Sequence, residues 1–243
     1  MGADQNFDWR KLTQSALDWW REAGVDTLVD EQPRDWLAAA VAPAFAAPIA
    51  PALRMATLPD TLEAFAAWRT GPDAPEAGWP GGRLSPQGHA SAPLWIFTDL
   101  PEREDLKAEC LLSGAQGRLL ERMLAAIGLS RDGVFVVPLA IARPPAGRIG
   151  REVEPRLAEV ARHHLSLGRP VRALLLGETT SRALLGINCH QARGSVHRIN
   201  HTSGPAGVEA ATMIVASLHP RLLLERPFAK ADAWRDLRLL GSE

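Results

Sequence analysis

The chain has 243 residues, enough for one large domain or for one domain with an extension, and 46% of them are apolar, ample for a core. A formal net charge of −1 gives no global positive field, so any contact with nucleic acid has to come from a local patch. Two cysteines exclude a disulfide framework and cannot ligate an iron–sulfur cluster unaided, while the polar start and the lack of a long apolar run predict neither a signal peptide nor a membrane span.

The reducing cytoplasm is the default expectation. "RKLTQSALDWWREAG" (10–24) sets apolar residues at helical spacing and ends in Gly24, a C-cap position. "AAAVAPAFAAPIAPAL" (38–53) reads as a semi-stiff linker, because proline interrupts any helix it enters. "TLPDTLEAFAAWRT" (57–70) predicts a short amphipathic helix with Asp60 as its N-cap. Residues 71–92, dense in Gly, Pro and Ser, predict a loop.

From residue 93 the texture changes. "PLWIFTD" (93–99), "GVFVVPLAI" (133–141), "VRALLLG" (171–177) and "TMIVASL" (212–218) predict buried strands. Helices are predicted at 114–129, with apolar positions 119, 120, 123, 124 and 127 on one side, and at 152–168, 178–186 and 225–240. This alternation predicts an α/β fold of three α/β/α layers around a mostly parallel four-stranded sheet. The expected organisation is a helical N-terminal extension with an Ala/Pro-rich linker (1–55), a short helix and Gly/Pro-rich loop (56–92), and the α/β domain (93–243). In such sheets ligands bind beyond the carboxyl ends of the strands, where Asp99, the segment after Val137, Gly177 and His219 fall.

Several common chemistries have no signature. There is no dinucleotide-binding G-x-G-x-x-G after a strand, no phosphate-cradling G-x-x-x-x-G-K-[ST], and no nucleophile elbow G-x-S-x-G. Cys189, His190, His197 and His201 match no standard zinc spacing, and their segment reads as a surface insertion, so no metal is expected. Of the adjacent His163 and His164, one is expected to be buried and the other solvated.

Five stretches in order resemble the uracil-DNA glycosylase superfamily, most closely its iron–sulfur branch, family four. They are "GAQGRLLERMLAAIGLSRDGVFV" (114–136), "ARPPAGR" (142–148), "RPVRALLLGETTSRALLG" (169–186), "ARG" (192–194) and "HPRLLLERPFAKADAWRDLRLL" (219–240). The resemblance implies a uracil-DNA glycosylase-like fold, a base-excision ancestry and DNA, single- or double-stranded, as partner. Such an enzyme takes the base out of the stack and stabilises the departing base anion with a waiting donor. His219 is implied as that donor, and Asp99, in "TDLPE" (98–102), as the carboxylate that positions water. Pro220 fixes the loop in which Arg221 and Leu222 would wedge into the duplex. Arg193 and Gly194 are implied as DNA contacts, and Arg143, Arg148 and Arg151 as a basic loop on the same face. The competing reading of that loop is a solvated turn paired with Glu152 and Glu154.

Departures from the family pattern shape the expected activity. Pro101 is kept in the first motif, but its two glycines are replaced by Thr98 and Glu102, and Glu102 puts a negative charge where DNA phosphates would pass. In the base pocket, Leu112 stands at the stacking aromatic and Pro138 at the asparagine that reads the base edge. Losing such directed hydrogen bonds removes on the order of 10⁴-fold discrimination. The last two cluster cysteines align with Ala142 and near Leu157, so no cofactor is expected. The expected function is a glycosylase-like protein with weak or no uracil excision. An active glycosylase of altered specificity and a non-catalytic DNA- or repair-protein-binding module are the competing readings. A repair-protein partner would engage the N-terminal extension, and no membrane contact is expected.

Overall fold

In the computed structural model, residues 9–22, 58–201 and 210–241 are described. The chain divides into two units, Met1–Ala52 and Leu53–Glu243. Within the first, helix α1 spans Trp9–Glu22, while Gly24 and the 38–53 linker lie outside the described residues. Within the second, helix α2 (Leu62–Thr70) starts one residue later than expected. Its N-cap is Thr61, not Asp60, because the Thr61 hydroxyl accepts from the Ala64 N–H at 3.2 Å.

The sheet has five strands: β1 (Leu94–Thr98), β2 (Val134–Pro138), β3 (Arg172–Leu176), β4 (Val196–His201) and β5 (Ala210–Ser217). Their order is β2-β1-β3-β5-β4, with β4 antiparallel to β5 and every other pair parallel. The four expected strands are the parallel ones. The fifth, β4, occupies the segment read as a surface insertion. Its polar sequence VHRINH has no apolar run, yet it alternates between exposed residues and the more buried His197, Ile199 and His201.

Period-two alternation divides the core into two layers. Leu94, Ile96, Val134, Val136, Leu174, Leu176 and Val215 share a cluster with residues of three helices: α4 (Gly114–Ala126), α8 (Pro220–Glu225) and α9 (Lys230–Gly241). Trp95, Phe97, Phe135, Val137, Ala173, Leu175, Ile214 and Ala216 join α5 (Glu154–Gly168) and α6 (Glu178–Leu185) on the other face. Both faces are covered, so β1 and β2 are buried along their whole length. Helix α4 turns Leu120, Met123 and Leu124 inward, as its spacing predicts, and two short helices, α3 (Arg103–Ala108) and α7 (Cys189–Ala192), follow β1 and α6. Gly168 closes α5 against the sheet: a Cβ there would sit 2.0 Å from the Trp95 ring.

Residues 71–92 are more ordered than their composition suggests. Gln87 bridges to Val136 and Arg83 to Ala142, so this stretch covers the β2 edge of the sheet. Arg69 and Glu76 form a buried ion pair at 2.6 Å, and Glu76 Oε1 accepts from the Ile141 N–H at 2.8 Å. His164 is buried among Phe65, Trp95 and Phe135, whereas His163 is half-buried and reaches the Pro59 carbonyl at 2.8 Å. Among the described residues no helix is long and apolar enough to cross a membrane.

Candidate active site

The parallel strands deliver their carboxyl ends to one edge. β1 ends in Thr98-Asp99, β3 in Gly177, and β5 in Ser217-Leu218-His219. Because β3 lies between β1 and β5, the His219 side chain has to cross the end of β3 to reach β1. Gly177 makes that crossing fit. Its φ of 96° lies in the left-handed region, and a Cβ there would stand 3.3 Å from His219 Cβ.

His219 is the N-cap of α8, with Pro220 in the first turn, and its Nδ1 accepts from the Arg221 backbone N–H at 3.2 Å. That contact assigns the proton of the neutral ring to Nε2. Nε2 lies 3.0 Å from Thr98 Oγ1 and 3.7 Å from Asp99 Oδ1. Burial lowers the His219 pKa, and Asp99 opposes this while Arg221 adds to it, so the ring is a neutral Nε2–H donor at neutral pH. Thr98 Oγ1 is the acceptor nearest that proton.

Asp99 is anchored by the Leu100 N–H, which its Oδ1 accepts at 2.9 Å, and its Oδ2 lies 3.4 Å from Arg221. Arg221 also pairs closely with Glu102, whose second carboxylate oxygen meets Arg143 at 2.7 Å. Asp99, Arg221, Glu102 and Arg143 therefore run as a line of alternating charges across the edge of the sheet.

The fold brings Asp99 and His219, 120 positions apart in sequence, to one place. The three pocket residues are all buried. Pro101 offers its carbonyl to Arg143 at 3.1 Å, and Pro138 sits beside Thr98 in the β1–β2 register. Leu112 belongs to the core cluster with Leu111, Leu120 and Leu223, and its φ of 49° is uncommon for a bulky residue. None of the three lines the cleft of about 370 Å³ beside His219, which is walled by Glu178, Cys189, His190, Arg193 and Leu222.

One expectation is corrected. Pro220, Arg221 and Leu222 form the first turn of a helix, not a loop, because proline suits the first turn and the His219 ring caps it. The basic segment is divided as well. Arg143 is held by Glu102, while Arg148 and Arg151 are exposed and line an open cleft of about 880 Å³ with Trp79. Pairing with Glu152 and Glu154 does not occur among the described residues, and Glu154 pairs with Arg182 at 2.9 Å instead.

Sequence reasoning missed three positions. Thr98 was read only as a lost glycine. Asp105 accepts from the Ser113 N–H and hydroxyl at 2.7 and 2.6 Å and from the Glu102 N–H at 3.0 Å, which fixes the segment carrying Leu112. Asp236 holds Arg193 Nε at 2.7 Å, the Gly194 N–H at 3.2 Å and the Ser217 hydroxyl at 2.9 Å, so Arg193 and Gly194 are tied to the end of β5. Its signal was available as the aspartate of "WRDL" in the 219–240 motif.

The family model for the Uracil DNA glycosylase superfamily matches residues 85–238. The chain belongs to the uracil-DNA glycosylase superfamily. Over 163 residues it is 27% identical to a type-4 uracil-DNA glycosylase of Archaeoglobus fulgidus, spanning 63% of this chain and 78% of that one. Over 157 residues it is 26% identical to a type-4 uracil-DNA glycosylase of Pyrobaculum aerophilum, spanning 63% and 79%. The superfamily match begins inside the 71–92 stretch, consistent with its bridge to β2.

The residues present do not fit an iron–sulfur cluster at the places the family-four resemblance implies. Ala142 and Leu157 are buried, and Leu157 packs with Leu100, Ala140, Trp79, Ile149 and Val153. Neither cysteine lies there. Cys110 contacts Arg131 at 3.3 Å and Cys189 faces the Ser217 carbonyl at 3.5 Å. Two of the three histidines of the 189–201 segment are committed within the protein: His197 reaches the Ala192 carbonyl at 2.9 Å, and His201 the Thr212 hydroxyl at 2.8 Å, while His190 is exposed.

Proposed function

We propose that this chain is a DNA-contacting member of the superfamily, of base-excision ancestry, whose excision of uracil is weak or absent. The observation that carries the reading is the 3.0 Å contact between Thr98 Oγ1 and His219 Nε2. A donor meant for a departing base has to point at empty space in the resting protein, and here a hydroxyl accepts from it. Two further features support the same reading. Pro138 offers no side-chain donor or acceptor beside Thr98, and the Leu112 side chain belongs to the core.

A second reading, an active glycosylase with altered base specificity, is favoured by the convergence of Asp99 and His219 at 3.7 Å. That pair keeps a carboxylate to orient water beside an imidazole that can donate. Oligonucleotides carrying uracil, hypoxanthine or xanthine, in single-stranded and duplex form, decide between the two. The first reading expects no alkali-sensitive cleavage above background at uracil. Robust cleavage at any of the three bases, abolished by His219→Ala, replaces it with the second. Failure to bind any of these oligonucleotides refutes both.

A further inference from the structure

Glu102 occupies a position where the family pattern has glycine, and its surroundings give that replacement a purpose. Both of its carboxylate oxygens are used: Oε2 meets Arg143 NH1 at 2.7 Å, and Oε1 pairs closely with Arg221 NH1. Two guanidinium groups converging on one pair of anionic oxygens is the arrangement that arginine uses for the non-bridging oxygens of a phosphodiester. Each arginine also has a hold that does not depend on Glu102. Arg143 donates to the Pro101 carbonyl at 3.1 Å, and Arg221 is held by Asp99 at 3.4 Å. The fork is therefore fixed on its outer sides. Glu102 and Arg221 are 22% and 45% exposed, so the carboxylate can swing into water without disturbing the core, giving up its share of the capping box at Arg103–Ala108 while Asp105 keeps the Glu102 N–H.

We infer that Arg143 and Arg221 form a phosphodiester-binding site that Glu102 holds closed from within, and that a DNA backbone phosphate opens it by displacing the carboxylate. The inference rests on the reading of the chain as DNA-contacting and names how that contact is regulated. With Glu102 in place, two arginines face two carboxylates, Asp99 and Glu102, and the patch attracts no anion. With Glu102 displaced, the same patch carries a net positive charge, and the phosphate takes over both arginine contacts. Partly exposed ion pairs of this kind stabilise little, so the closed state yields to a polyanion but not to water.

The test compares wild type, Glu102→Gln and Glu102→Ala, each first shown to melt as wild type does. Fluorescence anisotropy with undamaged duplex and single-stranded oligonucleotides is run over a salt series. The glutamine variant is expected to bind about tenfold more tightly at low salt, because binding no longer has to break the Glu102 pairs, with a salt slope within about 1 unit of wild type since the same phosphate is bound in both. The gain is expected to vanish when Arg143→Ala and Arg221→Ala are added, and to be missing from Glu63→Gln, which removes the same charge from the exposed face of α2. Unchanged affinity in both Glu102 variants overturns the inference. So does a gain that survives loss of the two arginines. If no variant binds DNA, the DNA reading fails separately, and titration with inorganic pyrophosphate decides the site. Binding to Glu102→Gln but not to wild type upholds it, and binding to neither overturns it.

Discussion

His219 Nε2 sits 3.0 Å from the Thr98 hydroxyl, a contact between residues 121 positions apart that joins the end of β5 to the end of β1. The imidazole is neutral, buried and oriented by the Arg221 N–H, which is the state a base-leaving donor requires. Its proton nevertheless meets a hydroxyl of the same chain. On the proposed reading, the donor is formed but already has an acceptor.

Removing that hydroxyl exposes the donor. Thr98→Gly is expected to raise cleavage of uracil-containing oligonucleotides by about tenfold or more, since a preorganised donor contributes on the order of 10²–10³ in rate. Adding Pro138→Asn restores a side chain able to read a base edge, and the double variant is expected to exceed either single one. Quantified strand cleavage after alkali checks both. No gain in the double variant would show that the Leu112 side of the pocket limits activity instead.

The cap on α8 is separable from the chemistry. His219→Ala removes the Nδ1 acceptor from the first turn of the helix and is expected to cost about 1 kcal/mol from the cap alone. His219→Asn keeps a capping acceptor and is expected to retain most of that stability while losing the imidazole. Urea denaturation midpoints of the two variants give the comparison. Equal midpoints would mean that the ring does not cap.

Asp236 is expected to matter more for stability than any surface carboxylate. Its three contacts to Arg193, Gly194 and Ser217 are made from a buried position, so Asp236→Ala strands a guanidinium and a buried hydroxyl. The expected loss is roughly 3 kcal/mol by chemical denaturation. A loss below about 1 kcal/mol, the range of an exposed pair, would contradict a buried anchor.

Acid sensitivity should trace in part to His164. Burial pushes its pKa down to about 3, with Arg69 and His163 adding to the effect. Between the unfolded value of about 6.5 and the folded one, the unfolded chain binds a proton that the folded chain refuses. Stability is therefore complete above about pH 6.5 and falls as the pH drops, by up to roughly 1.4 kcal/mol per unit. His164→Phe keeps an aromatic beside Phe65 and Trp95 at 4.8 and 4.9 Å and is expected to flatten that acid limb in melting curves. An unchanged pH profile would assign the acid loss to other groups.

The parallel strands were legible because burial on both faces leaves an apolar run with no alternation to interpret. β4 was not, because an edge strand answers to one face only, and its inward residues are two histidines and an isoleucine. Those histidines suggest a metal, whereas their period of two, with His197 and His201 two residues either side of Ile199, is the better guide to a strand. Pro220 misled in a similar way. After a buried strand it reads as a stop, while three residues of leucine behind it and a capping ring before it make it a helix start. The line Asp99–Arg221–Glu102–Arg143 had no local signature, since its members come from three separate segments and meet only when the strands align.

The wall formed by Trp79, Leu100, Ala140 and Leu157 has a consequence for how this protein is made and kept. Hydrocarbon packing needs no delivery of iron, and aeration does not corrode it. The Arg69–Glu76 pair adds a second brace, holding the Leu139 carbonyl and the Ile141 N–H, so the backbone that leads into Ala142 is fixed by the protein's own side chains.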